Sequence, residues 1–353
     1  MKIISIIGAR PQFIKCAPLS RSIRREHEEI LVHTGQHYDP EMSDIFFKEL
    51  NIPQPDYNLG MGSSSHGEQT GKMLIEIEKV LHKEKPDIVL VYGDTNSTLA
   101  GALAASKLHI KVAHIEAGLR SFDRSMPEEI NRVVTDHISD LLFCPTDTAV
   151  INLRKEGIIS GVHNVGDVML DALKYNQKIA EEKSTILEDL DLISKEYLVA
   201  TVHRPSNTDS LDNISSIVKA FCNSDLPIVF PVHPRTKKYL KQYGLWEKLH
   251  GNVKIVPPLG YLEMLQLIVN ARKILTDSGG LQKEAYMLGV PCITMRENTE
   301  WIETIEDGWN VLVGANYEKI MDSIEYFEGA KYIGEIFGNG DATGRICDIL
   351  NRF

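Results

Sequence analysis

Apolar residues along this chain come in short, β-branched runs separated by longer stretches of helical period. The first half reads "KIISIIG", "EEILVHT", "DIVLVYG", "IKVAHIEAG" and "DLLFCPT", each followed by a segment of helical spacing. Short apolar runs alternating with segments of helical period predict a parallel sheet flanked by helices. A second series starts near Glu196 with "EYLVATVHR", "PIVFPVHP", "NVKIVPP", "KILTDSGG" and "PCITM". The pattern predicts two doubly wound α/β halves, over residues 1–170 and 171–335, joined in the polar helical stretch "GDVMLDALKYNQKIAEEKST". The tail 336–353 is expected to return onto them as a helix.

Bulk properties narrow the picture. A length of 353 residues suits two cores. With 43% hydrophobic and 25% charged residues and no long apolar tract, neither disorder nor membrane insertion is favoured. The opening "MKIISIIGARPQF" enters a strand at once and lacks the apolar core and cleavage site of a signal peptide, so the chain is expected in the cytoplasm. Five scattered cysteines without a CxxC point to core residues rather than disulfides or zinc. A net charge of -11 argues against nucleic-acid binding, so an anionic ligand must be held by a local cluster.

Ligands of open α/β sheets lie beyond the carboxyl ends of the strands. The residues there are polar and titratable in both halves: Arg10 and Lys15 after the first run, then Asp94, Glu116, His203 with Arg204, and His233. "GAR" lacks the GxGxxG fingerprint, so a nicotinamide cofactor is not expected, and no pair has metal-ligand spacing. Arg10 and Lys15 fall near a helix start, where cations oppose the helix dipole unless an anion lies opposite. Asp94-Thr95 reads as a helix cap, and Glu128 and Glu129 after Pro127 read as first-turn acids. Glu116 precedes Ala117-Gly118, and a carboxylate at that turn requires either a ligand or a buried partner. A single strand-end histidine is ordinarily a satisfied core residue; His203 and His233 at parallel positions weaken that reading.

The stretch "ILTDSGGLQKEAYMLGVPCITM" places Ser278, Gly279 and Gly280 between a strand and a helix. Either Asp277 or Ser278 caps the helix and the glycines merely turn the chain, or their backbone N–H groups hold an anion. Glu284, one turn further on, is a carboxylate able to accept from two neighbouring hydroxyls. Together these read as a nucleotide diphosphate site, with the first-half acids facing whatever the diphosphate carries.

The blocks "GARPQFIK", "GDTNSTLAG", "HIEAGLRS", "PEEINRVVTDHISD", "HRPSN", "VHPRT", "DSGGLQKEA" and "GNGDATGRI", in this order, resemble the non-hydrolysing UDP-N-acetylglucosamine 2-epimerase family nearly end to end. The resemblance implies two Rossmann-like domains facing a cleft in a glycosyltransferase-B-like arrangement, commonly a homodimer, working on a UDP-sugar without cofactor or metal. It implies a UDP site from Arg10, Lys15, His203, His233, Ser278, Gly279, Gly280 and Glu284, with uracil along Leu259 to Met264. It also implies Asp94, Glu116, Glu128 and His203 as catalytic positions, and inversion at C2 by elimination and re-addition of UDP. A glycosyltransferase of the same architecture, a hydrolysing relative and a non-catalytic sugar-nucleotide sensor are the alternatives. Common members carry glutamate in place of Gln12, Arg-Glu-Asn in place of Pro205-Ser206-Asn207, and arginine in place of Trp301. Gln12 and Trp301 are more like the branch acting on UDP-2,3-diacetamido-2,3-dideoxyglucuronate. An amide at position 12 would donate to a uronate that a carboxylate would repel, so a preference for that sugar is expected.

Overall fold

Strands β1 (Lys2–Ile7), β2 (Glu28–His33), β3 (Tyr57–Asn58), β4 (Ile88–Tyr92), β5 (Lys111–Ile115), β6 (Leu141–Cys144) and β7 (Val162–Asn164) pair in parallel in the order β3-β2-β1-β4-β5-β6-β7. Strands β8 (Leu198–Thr201), β9 (Ile228–Pro231), β10 (Val253–Val256), β11 (Lys273–Thr276), β12 (Cys292–Thr294) and β13 (Asn310–Leu312) form a second parallel sheet, ordered β10-β9-β8-β11-β12-β13. This computed structural model describes residues 1–36, 50, 52–249 and 251–353. The chain divides into two compact units, Met1–Tyr175 with Glu335–Phe353, and Asn176–Gly334.

Both sheets are buried on two faces, and the alternation along each strand shows how. In the second sheet Leu198 and Ala200 pack with Ile214, Phe221 and Leu240 on one side, while Tyr197 and Val199 pack with Leu267, Ile274 and Ala285 on the other. In the first, Ile4, Ile6, Val89 and Val91 pack under helices His66–Glu84 and Asn96–Lys107 through Met73, Ile77 and Ala100. Three strands are not foretold by the apolar pattern, namely β3, β7 and β13. Each has two or three residues and is only partly buried, so no apolar run marks it. The tail helix Ala342–Leu350 belongs to the first unit. Asp171 accepts from the N–H groups of Ala342 and Thr343 at its start, and Asn351 beyond its end donates to Glu26.

Strand order reverses between β1 and β4 in one sheet and between β8 and β11 in the other. At such switch points the connections leave in opposite directions and open a crevice at the carboxyl ends. Those ends lead into Arg10, Asp94, His203 and Ser278.

One backbone position beside the first of these ends is tightly specified. Gly118 has φ +81°, and a Cβ there would lie 2.4 Å from the carbonyl oxygen of Ala149. Gly118→Ala combines a left-handed conformation with a backbone clash, so it should lower unfolding free energy by about 3 kcal/mol. A urea titration checks this; an unchanged midpoint would show that the turn relaxes freely.

Candidate active site

In the first unit one of the two cations near the helix start, Lys15, meets an anion from within the chain. Lys15, on helix Arg10–Glu26, is paired with Glu116, and both side chains are buried. Glu116 leaves β5 with φ +75°, a left-handed conformation costing a non-glycine residue about 1–3 kcal/mol. Its N–H and that of Ala117 both donate to Phe143 O. Gly93 closes the group, since a Cβ there would lie 3.3 Å from Lys15 Nζ and 3.4 Å from Glu116 Oε2. The partner that Glu116 required is therefore Lys15. Arg10 opens the same helix and is half-buried.

Asp94 follows Gly93, and Thr95, not Asp94, caps helix Asn96–Lys107. The Asp94 carboxylate accepts from Arg132 Nη2 at 2.5 Å, and its carbonyl accepts from Asn131 Nδ2 at 2.9 Å. Arg132 Nη1 donates to Glu129 at 3.0 Å. Glu129 also accepts from the N–H groups of Ser121 and Phe122, which ties down the loop before its own helix. The two first-turn acids are thus separated: Glu129 is buried and structural, and Glu128 is exposed. Helix Pro127–Ile138 is inverted in polarity, with Glu129, Arg132 and Asp136 buried while Ile130 and Val134 are 47% and 37% exposed. Charged residues at helical spacing where apolar ones belong are the legible signal for Glu129, Arg132 and Asp136, none of which the sequence analysis put forward as a site residue.

In the second unit Ser278 caps helix Gly279–Met287, its hydroxyl accepting from Leu281 N. Asp277 has a different task. Wholly buried, it accepts from the N–H groups of His203 and Arg204 and from Asn207 Nδ2, each at about 3.0 Å, and lies 3.3 Å from His203 Nδ1. Burial pushes the His203 pKa down; Asp277 opposes this, while Arg204 and Arg296 add to it, and the net shift is downward. His233 caps helix Pro234–Gln242, its Nδ1 accepting from Arg235 N, so Nε2 carries the proton of the neutral ring. The two imidazoles lie 5.9 Å apart between centroids.

The paired glycines have different neighbours. A Cβ on Gly279 would strike Glu300 Oε1 at 2.0 Å, whereas Gly280 is exposed and has room. Glu300 pairs with Arg296 at 3.0 Å, and this attraction outweighs the upward push of burial to hold the carboxyl below its usual range. Glu284 is buried on the same helix. Leu259 and Met264 are partly buried against the sheet face built around Val199 and Ile274.

One expectation is overturned. Gln12 is not placed to meet a sugar: it is buried, its Oε1 accepts from Gly8 N and Ala9 N, and its Nε2 donates to Tyr92 O and Thr98 Oγ1. Both amide hydrogens are spent on holding the β1 and β4 ends together, so none remains for a uronate. Trp301 is buried too, with Lys283 Nζ 4.4 Å from its ring centroid.

The lowered His203 pKa has a sign that can be tested. Because the unfolded chain takes up this proton more readily, the contribution to stability is full above the ordinary histidine value of 6.5 and declines as pH falls through it. Urea titrations at several pH values should show a shallower acid-side decline in His203→Asn than in the parent. Equal slopes would show that burial leaves this ring unperturbed.

The family model for UDP-N-acetylglucosamine 2-epimerase matches residues 21–351. The chain is 61% identical to a UDP-N-acetylglucosamine 2-epimerase homolog of Methanococcus maripaludis, over 100% of both chains. It is 50% identical to the UDP-2,3-diacetamido-2,3-dideoxy-D-glucuronate 2-epimerase of Pseudomonas aeruginosa, again over 100% of both. The crystal structure of Methanocaldococcus jannaschii UDP-GlcNAc 2-epimerase in complex with UDP-GlcNAc and UDP superimposes with a TM-score of 0.94, at 50% identity and 100% coverage of each chain. The two-domain, glycosyltransferase-B-like α/β fold is that of such neighbours. With the family's model spanning nearly every element described above and full-length relatives at 50% identity or more, the chain belongs to the UDP-N-acetylglucosamine 2-epimerase family.

Proposed function

We propose that this protein interconverts the C2 epimers of a UDP-N-acetylhexosamine by eliminating UDP and adding it back. The observation that carries the reading is the set of acids Asp94, Glu116 and Glu128, two of them at strand ends beside the β1/β4 switch and each on a different segment. The C2–H of an N-acetylhexosamine is too weak an acid to lose its proton unaided. Removing it as the C1–O bond breaks lets the C–H electrons form a C1=C2 bond while UDP departs with the C1–O pair. The intermediate is a 2-acetamidoglucal. Return of UDP to C1 with protonation of C2 on the other face gives the epimer. That sequence needs proton donors and acceptors on both faces, work that three carboxylates can divide.

Lys15 enters this scheme as the counter-charge of Glu116, able to compensate the carboxylate as protons come and go. The departing diphosphate requires positive charge and N–H donors: Arg10 would supply the charge, and the His203 and His233 rings and the helix N-terminus at Ser278, Gly279 and Gly280 would supply donors; Glu284 would hold the ribose and Leu259 to Met264 the uracil. Asp277 holds the turn that carries His203 through the N–H groups of His203 and Arg204. We read the protein as a homodimer acting in the cytoplasm. None of its described helices is long and apolar enough to cross a membrane.

The choice of sugar is a second question. Identity barely separates the two, at 52% to the plain-sugar enzyme of Methanocaldococcus jannaschii and 50% to the diacetamido-uronate enzyme. With Gln12 committed to the backbone, the physical case for a uronate reduces to Trp301. Gln12→Ala should cost about 1–3 kcal/mol of stability through its lost buried hydrogen bonds, while changing the kcat/KM ratio between the two substrates by less than about threefold. A tenfold change in that ratio, about 1.4 kcal/mol, would return Gln12 to the sugar site.

Turnover in D2O, with no acceptor present, should place deuterium at C2 of the product. Unlabelled product would exclude elimination, transfer to water would mark a hydrolase, and absence of turnover without an acceptor would favour a transferase. Asp94→Asn, Glu116→Gln and Glu128→Gln should each lower kcat by roughly 10²-fold or more, with UDP affinity little changed. Normal turnover in all three would leave these acids without a catalytic role.

A further inference from the structure

Beneath the acid-bearing segments lies a buried histidine that the reaction scheme does not use. His114, the fourth residue of β5, is wholly buried, and both its ring nitrogens face acceptors. Nδ1 lies 2.7 Å from Asp136 Oδ1, and Nε2 lies 2.7 Å from the carbonyl oxygen of Gly93. A carbonyl oxygen cannot donate, so Nε2 must carry a proton. Asp136 already accepts on its other oxygen from Arg120 Nη1 at 2.6 Å and from Gly118 N at 3.1 Å. The permanently charged Arg120 guanidinium and the Gly118 N–H, both on Oδ2, favour the ionised form of Asp136. An ionised Asp136 requires the second proton on Nδ1. Arg120 in turn grips Glu156 through Nε at 2.7 Å and Nη2 at 2.8 Å.

We infer that His114 is a buried imidazolium and the positioning residue that holds the segments bearing Asp94, Glu116 and Glu128 in mutual register. Its Nε2 fixes Gly93, the residue before Asp94. Its backbone lies two residues before Glu116, whose left-handed turn continues into Gly118, itself bound by Asp136. Asp136 sits two turns along the helix that begins at Pro127-Glu128. One residue thus ties three segments together, through its two ring nitrogens and its own place in β5. Beside an ionised Asp136, a neutral ring would leave one of these hydrogen bonds unmade in a wholly buried position, and Asp94, Glu116 and Glu128 would be free to drift relative to one another. The inference rests on the functional reading above for what the acids do, but the protonation of the ring does not.

The test has two arms. Nitrogen NMR of the whole protein with labelled histidine, the His114 ring assigned through bonds to its own backbone, should show both ring nitrogens protonated and hydrogen-bonded at pH 8. A single protonated nitrogen overturns the inference, whether or not the protein epimerises a sugar. In the second arm His114→Gln, which keeps one donor and loses the charge, should lower kcat per UDP-binding site by about tenfold or more, with UDP affinity within about threefold of the parent. Scaling to UDP-binding sites removes any loss due to unfolded protein, and unchanged kcat overturns the positioning role. Should His114→Gln not fold, Arg120→Lys, which retains the charge on Asp136 but not the paired grip on Glu156, should lower kcat in the same direction; parent-like kcat there counts against the inference. A parent protein with no turnover would sink the functional reading and leave the ring measurement to stand alone.

Discussion

The ion pair between Lys15 and Glu116 joins the helix after β1 to the turn after β5, passing over the end of β4 that lies between them. Much of the first unit's candidate site follows from that one constraint. A carboxylate with little access to water must be paired, and pairing it with a lysine one strand-pair away requires the Gly93 turn to leave room and the Glu116 backbone to enter the left-handed region. The neighbouring acid obeys the same rule by another route, with Asp94 held by Arg132 and Arg132 shared with Glu129.

Such pairs are poor sources of stability, because desolvating both charges roughly cancels their attraction, and apolar replacements of similar volume are often neutral or better. Three buried or half-buried pairings along one edge of a single sheet are therefore better explained by chemistry than by folding. The strained φ at Glu116 points the same way, since backbone strain persists where the surroundings over-determine it. The second unit solves a related problem with one fully buried carboxylate. Asp277 collects three N–H donors and so fixes the turn that presents His203 beside His233.

A fold of this kind places its chemistry at strand ends, which is why so many candidate residues are visible in the sequence. Asp94, Glu116, His203, His233 and Ser278 each follow an apolar run directly, and the period of that run is sufficient to locate its end. The parallel sheets are legible for the same reason, because strands buried on both faces announce themselves as continuous apolar runs. Edge strands β3, β7 and β13 carry no such signal.

What the sequence could not determine is which polar residue finds which partner. Residues 15 and 116, or 94 and 132, are far apart in the chain, and nothing local in either segment names the other. The sequence offered Asp277 as one of two candidate helix caps and the family resemblance placed Gln12 near the sugar, yet sheet register brings Asp277 under the His203 turn and Gln12 between the ends of β1 and β4. The same holds for His114. By itself it is one histidine in an apolar strand; Gly93 from the adjacent strand and Asp136 from a later helix make it a double donor. Hydrophobic periodicity, a local property, decided the elements and their ends. Charge pairing, a property of the assembled sheets and the helices packed on them, decided which of the residues at those ends work together.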